Sequence, residues 1–187
     1  RPHLSWAPPE GYSDGSPFRR ELVAMARAGK LGTGTTSWLA PTRAREELFD
    51  TAADPYQFKN LAADPAHAAT LERLRGALRD WLGEVRDAAF LTEEQTFTRA
   101  GGQAPYDLAR TPGAYSFERV LAAAEWVGDP GALPQQREAL QDTDSAVRYW
   151  AAVGLVANKA GATAARAGLE RALGDASPSV RIEAAGA

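Results

Sequence analysis

Leu140-Gln141-Asp142-Thr143-Asp144-Ser145-Ala146-Val147-Arg148-Tyr149-Trp150-Ala151-Ala152 returns thirty-three residues later as Leu173-Gly174-Asp175-Ala176-Ser177-Pro178-Ser179-Val180-Arg181-Ile182-Glu183-Ala184-Ala185. The two stretches share Leu, Asp, Val, Arg and the paired alanines in one register, and a fixed period of this length marks a stacked helical repeat. Each copy reads as the end of one helix, a short turn carrying Asp and a hydroxyl, then Val-Arg opening an alanine-rich helix. Small alanines let helices approach closely, while Asp and Arg can satisfy turn amides and carbonyls between layers. Asp142 and Asp144 also have a spacing that could suit a cation, but their place in the turn assigns them to capping. Outward from this pair, residues 116–187 read as an all-α repeat segment.

Upstream the pattern changes. Residues 87–115 lose apolar periodicity and hold Gly101-Gly102, Pro105, Pro112 and Gly113, which predicts an exposed linker. Before it, Leu71, Leu74, Leu78, Trp81, Leu82 and Val85 follow helical steps behind an Asp64-Pro65 start signal. One buried helix face of that size is worth roughly 10 kcal/mol. Further back, Gly32–Thr36, Trp38–Ala40 and Glu46–Asp50 carry strand-type residues around a polar break, which predicts a hairpin or adjacent edge strands for that helix to cover. The glycines at 32 and 34 lack the Gly-Lys-Ser/Thr ending of a phosphate loop, and they read as surface loop. Ser16-Pro17 predicts a helix start and Gly29 its stop. Residues 1–19, rich in proline, read as an extended wrapping segment. The fold class expected is therefore a small α+β subdomain, short antiparallel strands on an amphipathic helix, over residues 1–86. The linker at 87–115 and the helical repeats at 116–187 follow it.

Composition narrows the function. The chain has 187 residues, a net charge of −3, no cysteine and two histidines, His3 and His67. A net negative charge argues against binding a phosphate backbone by bulk electrostatics, so no nucleic-acid partner is expected. No apolar run is long enough for a membrane span, so no membrane partner is expected either. The absence of cysteine removes disulfides, thiolate metal sites and Cys nucleophiles together. The chain opens on Arg1-Pro2 and closes inside a helical pattern, and it reads as a fragment of a longer protein.

Two resemblances attach to these residues. Asp142 to Ala152 and Asp175 to Ala185 are similar to the D-x-x-x-x-V-R-x-x-A-A signature of short bacterial HEAT-like repeats. The first half resembles the C-terminal subdomain of sulfatases, particularly bacterial relatives of the heparan N-sulfatase type. The resemblance is carried by Glu46-Glu47-Leu48-Phe49-Asp50-Thr51, by Asp54-Pro55-Tyr56-Gln57-Phe58-Lys59-Asn60-Leu61-Ala62, and by the helix from Leu71-Glu72-Arg73-Leu74 to Asp80-Trp81-Leu82. His3 to Tyr12 is similar to the stretch that enters this subdomain. Phe49 stands where the family has tyrosine, and Gln57 where it commonly has glutamate.

The sulfatase resemblance implies hydrolysis of sulfate esters or sulfamates, with sugars as the expected carriers. It also implies a formylglycine nucleophile, a calcium site and cationic groups around the sulfate. Both calcium and formylglycine are expected only in an N-terminal catalytic domain outside this chain, which then becomes the chain's main partner. Within the chain no catalytic residue and no metal ligand is expected: the nearest approach to the formylglycine motif, Ser16-Pro17-Phe18-Arg19-Arg20, has Phe18 where Pro or Ala is required. His67 reads as a solvent-facing helix residue. His3, Trp6 and Trp38 are the candidate substrate-rim residues, the two tryptophans as stacking platforms. Trp81 and Trp150 fall on helix faces that need a core. The location is open, the resemblance being compatible with a periplasmic or secreted one. The alternative reading is a non-catalytic interaction module whose HEAT-like repeats bind a protein partner.

Overall fold

A computed structural model describes residues 11–186, which fall into two compact units that divide between Gly76 and Ala77. No strand occurs among the described residues, so the α+β subdomain expected from the sequence is corrected to an all-α arrangement. The first unit holds α1 (Gly11–Asp14), α2 (Pro17–Arg27), α3 (Thr33–Thr36) and a 3₁₀ turn at Ser37–Leu39. Ser16 caps α2 by accepting the Arg19 N–H at 3.2 Å, and Gly29 takes the chain out of the helix with φ +65°. The stretches expected to pair as strands are thus helical at 33–39, while residues 46–50 have no regular structure.

A 3₁₀ turn at Pro65–His67, capped by the Asp64 carboxylate on the Ala66 N–H, leads into α4 (Ala68–Val85). The apolar face of α4 was expected to bury against the sheet. With no sheet, Leu74 stays 43% exposed and Leu78 and Trp81 each 55%. The helix therefore forms on local grounds, its long straight-chain residues favouring it, and keeps an uncovered apolar stripe.

The second unit carries the hydrophobic core. Residues 87–115, where the sequence shows no period, contain a 3₁₀ turn at Ala88–Phe90, α5 (Glu93–Ala100) and α6 (Pro105–Arg110), and bury Leu91, Leu108, Ala109 and Tyr115. Helices this short are below the window in which a 3.6-residue period can be read. After them come α7 (Phe117–Glu125), α8 (Leu133–Ala139) and α9 (Ser145–Ala157). The last three are α10 (Lys159–Ala164), α11 (Arg166–Ala172) and α12 (Pro178–Ala185).

Helix α9 is the axis of the unit, packed against α7, α8, α10 and α12. Apart from Arg148 its sequence is mostly apolar or small, and Ala146, Val147, Ala151, Ala152, Val153 and Leu155 are all buried, as expected for a helix packed by several neighbours. Gly154 is required where it sits. A Cβ there would lie 2.4 Å from Gln136 Nε2, and that buried amide donates to the Trp126 carbonyl at 2.8 Å.

The repeat seen in the sequence becomes a ladder of arginine and aspartate. Asp144 caps α9, accepting the Ala146 N–H at 2.9 Å. Asp142 and Asp175 fold their turns the same way, accepting the N–H groups of Asp144 and Ser177 at 2.7 and 2.8 Å. Each turn aspartate is then reached by an arginine of the preceding layer: Arg119 donates to Asp142. Arg148 forks onto Asp175 through Nε and Nη2 at 2.7 and 2.8 Å. Arg99 of α5 forks onto Asp144, so both carboxylates of the Asp-x-Asp pair are used in capping and pairing. Glu94 accepts from the Ser177 and Ser179 hydroxyls at 3.0 and 2.8 Å, tying α5 to the start of α12.

The Arg148 bonds hold the Asp175 carboxyl below the usual carboxylate range. Burial pushes Asp144 up, but Arg99 and the Ala146 amide outweigh it and hold that group low as well. A carboxylate whose folded pKa is depressed stabilises the fold above its unfolded pKa of about 3.9 and loses that contribution as pH falls through the folded value. Thermal melts followed by circular dichroism are therefore expected to be flat from about pH 7 to pH 5 and to fall below about pH 4. Arg148→Ala is expected to cost about 3 kcal/mol at neutral pH, near the lower end for breaking a buried ion pair. In Asp175→Asn the acid-side decline should be shallower; an unchanged acid profile in that variant would count against the ladder.

Candidate functional site

Between Glu46 and Ala62 the backbone of the first unit is folded back on itself by side chains. Asn60 does the work of a missing strand: its Oδ1 accepts the Leu48 and Ala62 N–H groups, both at 2.9 Å, and its Nδ2 donates to the Glu46 carbonyl at 3.1 Å. The Leu61 N–H then reaches the Leu48 carbonyl at 2.7 Å, and Leu61 is buried. Asp50 accepts from the Ala52 and Ala53 amides, and Asp54 from the Lys59 amide at 2.7 Å. Gln57, between them, sits at φ +57°, a left-handed position that few residues other than Gly, Asn or Asp adopt readily. Arg75 clamps Glu46 through two bonds of 2.7 and 2.8 Å and also pairs with Glu72. The Arg75 bonds keep the Glu46 carboxyl below the usual range, so near neutral pH it is a fixed anion.

This framing opens an aromatic cleft of about 530 Å³, lined by Trp38, Arg43, Phe49, Tyr56 and Phe58 among others. The Tyr56 and Phe58 rings stack at 5.8 Å. Phe58 lies directly on Gly34, where a Cβ would come within 2.4 Å of the ring, so the absence of a side chain at 34 seats one wall. Trp38 is half exposed at the rim. The volume is in the range of small-ligand sites, and flat apolar walls beside a guanidinium suit a ring-shaped ligand that carries negative charge.

Of the residues singled out in the sequence, Trp38 lines this cleft, whereas His3 and Trp6 lie outside the described residues. Trp150 packs against the core of the second unit and donates to the Phe90 carbonyl at 2.8 Å; Trp81 is exposed. His67 closes the turn before α4, with Nε2 4.0 Å from Asp64 Oδ2, and does not line the cleft. Arg43, Phe49, Tyr56 and Phe58 line it too, and none of them was among the candidate site residues read from the sequence. Their signal was the crowding of three aromatics between positions 49 and 58.

Among the described residues no group of three or more His, Cys, Asp or Glu side chains is placed to hold a metal ion. The cleft offers aromatic faces, hydroxyls and a guanidinium that can bind and orient a ligand. Among the described residues no helix is long and apolar enough to cross a membrane.

The chain is 33% identical over 99 residues to an ulvan-active sulfatase of Formosa agariphila, a match covering 53% of this chain and 17% of that protein. It is 38% identical over 77 residues to the N-sulphoglucosamine sulphohydrolase of Homo sapiens, covering 38% of this chain and 14% of that protein. Part of the chain is thus similar to sulfatases, and it spans less than a fifth of either relative's length. No protein-family model matches it, and no solved structure does.

If Asn60 frames the cleft, Asn60→Ala releases two amides and one carbonyl together. Hydrogen exchange at Leu48 and Ala62 is expected to speed up about fivefold, one net hydrogen bond being worth about 1 kcal/mol and a factor of ten about 1.4. Unchanged protection at both amides would show that the loop is framed by something else.

Proposed function

We propose that this chain is the C-terminal part of a sulfatase-family hydrolase acting on sulfate esters or sulfamates of sugars. In this reading its first unit forms one edge of the substrate site and its helical repeats, of the HEAT-like class, form an outer support. The observation that carries the reading is the pairing of sulfatase similarity with a cleft whose aromatic walls stand beside a guanidinium. Trp38 is the proposed rim residue, its ring for the face of a sugar, and Arg43, which lines the same cleft, is the proposed contact for a sulfate. His3 and Trp6 are proposed for the same rim.

The partner in this reading is the catalytic portion of the sulfatase, which supplies formylglycine and calcium. The bare stripe of α4, with Leu74, Leu78 and Trp81 exposed, supports such a partner, since a contiguous apolar face on a helix is a contact waiting for a second surface. The alternative, an interaction module that binds a protein through its repeats, is favoured by the arginine–aspartate ladder alone.

The test is the coding region upstream of Arg1: a C/S-x-P/A-x-R motif is expected in frame within a few hundred codons, and its absence there would sink the proposal. In the protein carrying that motif, Trp38→Ala is expected to lower kcat/KM on a sulfated sugar roughly three- to tenfold, the equivalent of ~0.5–1.5 kcal/mol for one aromatic contact. The 187-residue chain by itself is expected to turn over neither aryl sulfates nor sulfated sugars. Turnover that survives purification and calcium chelation would overturn the assignment of the chemistry to a partner.

A further inference from the structure

Helix α8 separates two recesses of the second unit, and its outward side chains serve neither the core nor the ladder. The first recess, of about 610 Å³, lies between α7 and α8. Trp126, at the end of α7, packs against the core and lines it. This residue is held in place by Gln136, whose buried Nε2 donates to the Trp126 carbonyl at 2.8 Å. Gln135, Glu138 and Gln141 follow at three-residue steps, all exposed, and line the same recess. Among the described residues their side chains have no hydrogen-bond or ion-pair partner. At one end of the recess Arg119 and Asp142 neutralise each other. The second recess, of about 460 Å³, shares Glu138 and Gln141 with the first and is bounded by Arg137 and Arg171. Among the described residues neither of these guanidinium groups is paired, whereas Arg99, Arg119 and Arg148 all are. Its floor is closed, since a Cβ on Gly168 would come within 2.9 Å of Leu140 Cδ1.

We propose that this face of α7, α8 and α11 holds a segment of an acidic polysaccharide, one sugar ring resting on Trp126 among Gln135, Glu138 and Gln141, and an oxyanion of the neighbouring sugar meeting Arg137 and Arg171. A held aromatic ring beside free amides matches the chemistry of a sugar. The C–H face of the ring covers apolar area, and each hydroxyl, donor and acceptor at once, meets an amide that is both. A pair of guanidinium groups next door matches a sulfate or a carboxylate in charge and shape. An acidic peptide would suit the arginines but would leave the indole and the amides without a counterpart. The kind of polymer rests on the sugar reading proposed above; the site itself rests on its own side chains and is separate from the Trp38 cleft.

The experiment titrates the full chain, with and without Trp38→Ala to disable the cleft of the first unit, against a sulfated galactan oligosaccharide, an oligogalacturonate, the unsulfated galactan and a polyglutamate peptide. Binding is read by calorimetry and by the Trp126 indole N–H resonance, assigned with Trp126→Phe. The expected result is that at least one acidic oligosaccharide shifts that resonance and binds about tenfold more tightly than the neutral one, as charge-assisted hydrogen bonds require. The sulfated and uronate arms then tell which oxyanion the arginines take. Arg137→Gln and Arg171→Gln should bring the acidic oligosaccharide down towards the neutral one and leave the neutral one unchanged. Gln135→Ala and Gln141→Ala should weaken both about fivefold, with melting midpoints within about 1 °C as for exposed positions. Binding of none of the oligosaccharides, or binding indifferent to these four substitutions, overturns the proposal. Binding that disappears with Trp38→Ala overturns it too, while leaving the cleft reading standing. Polyglutamate bound as tightly as the acidic oligosaccharides would make the occupant an acidic protein segment instead.

Discussion

Arg148 holds two turns at once, and the second unit is arranged around that grip. One guanidinium nitrogen satisfies carbonyls in its own turn, while the other two lock the aspartate of the next. Because a planar fork accepts a carboxylate in one orientation, the contact fixes the register between layers as well as holding them. Burying such a pair offers little net stability over apolar residues of the same size, since desolvation cancels most of the attraction. Its effect is discrimination: a layer shifted along its neighbour would leave a cation and an anion unpaired in a low-dielectric seam. With register set in this way, alanines can do the packing. Ala146, Ala151, Ala152 and Ala184 bring α9 and its neighbours together with almost no exposed surface.

The first unit is held by different forces. Its loop between Glu46 and Ala62 is framed by Asn60, Asp50 and Asp54, side chains that substitute for the backbone partners a sheet would supply. Leu61 is buried there, but Leu74, on the part of α4 that belongs to this unit, stays exposed. Polar framing of a loop leaves aromatic side chains free to line a cleft, and that is what Trp38, Phe49, Tyr56 and Phe58 do. The two units thus divide the work: one supplies order through packing and a charged ladder, the other supplies surface.

The local signals were legible. Ser16 before Pro17, Asp64 before Pro65 and Asp144 before α9 all cap the turns their positions predict, because an N-cap bond spans only two or three residues and needs no tertiary partner. The strand reading of 46–50 failed on a similar local ground. Its composition favours extended backbone, and residues 46–50 have no helix, but a strand requires a neighbouring chain, and Asn60 took that place with a side-chain amide. Likewise the step pattern of α4 was read correctly as a helix; whether its apolar face is covered depends on what stands opposite, which periodicity does not record.

By itself, the sequence determined the helices that start at Ser16-Pro17, Asp64-Pro65 and Asp144, their caps and the thirty-three-residue register, since propensity, capping and periodicity act within a turn or within one repeat. Only the tertiary structure decided which arginine meets which aspartate, that residues 87–115 carry buried side chains, and that four aromatics spread from position 38 to 58 share one cleft. Those outcomes join groups distant in the chain, where the free energy comes from shared desolvation and from the geometry of a fork or a ring, and no single segment of the sequence carries either.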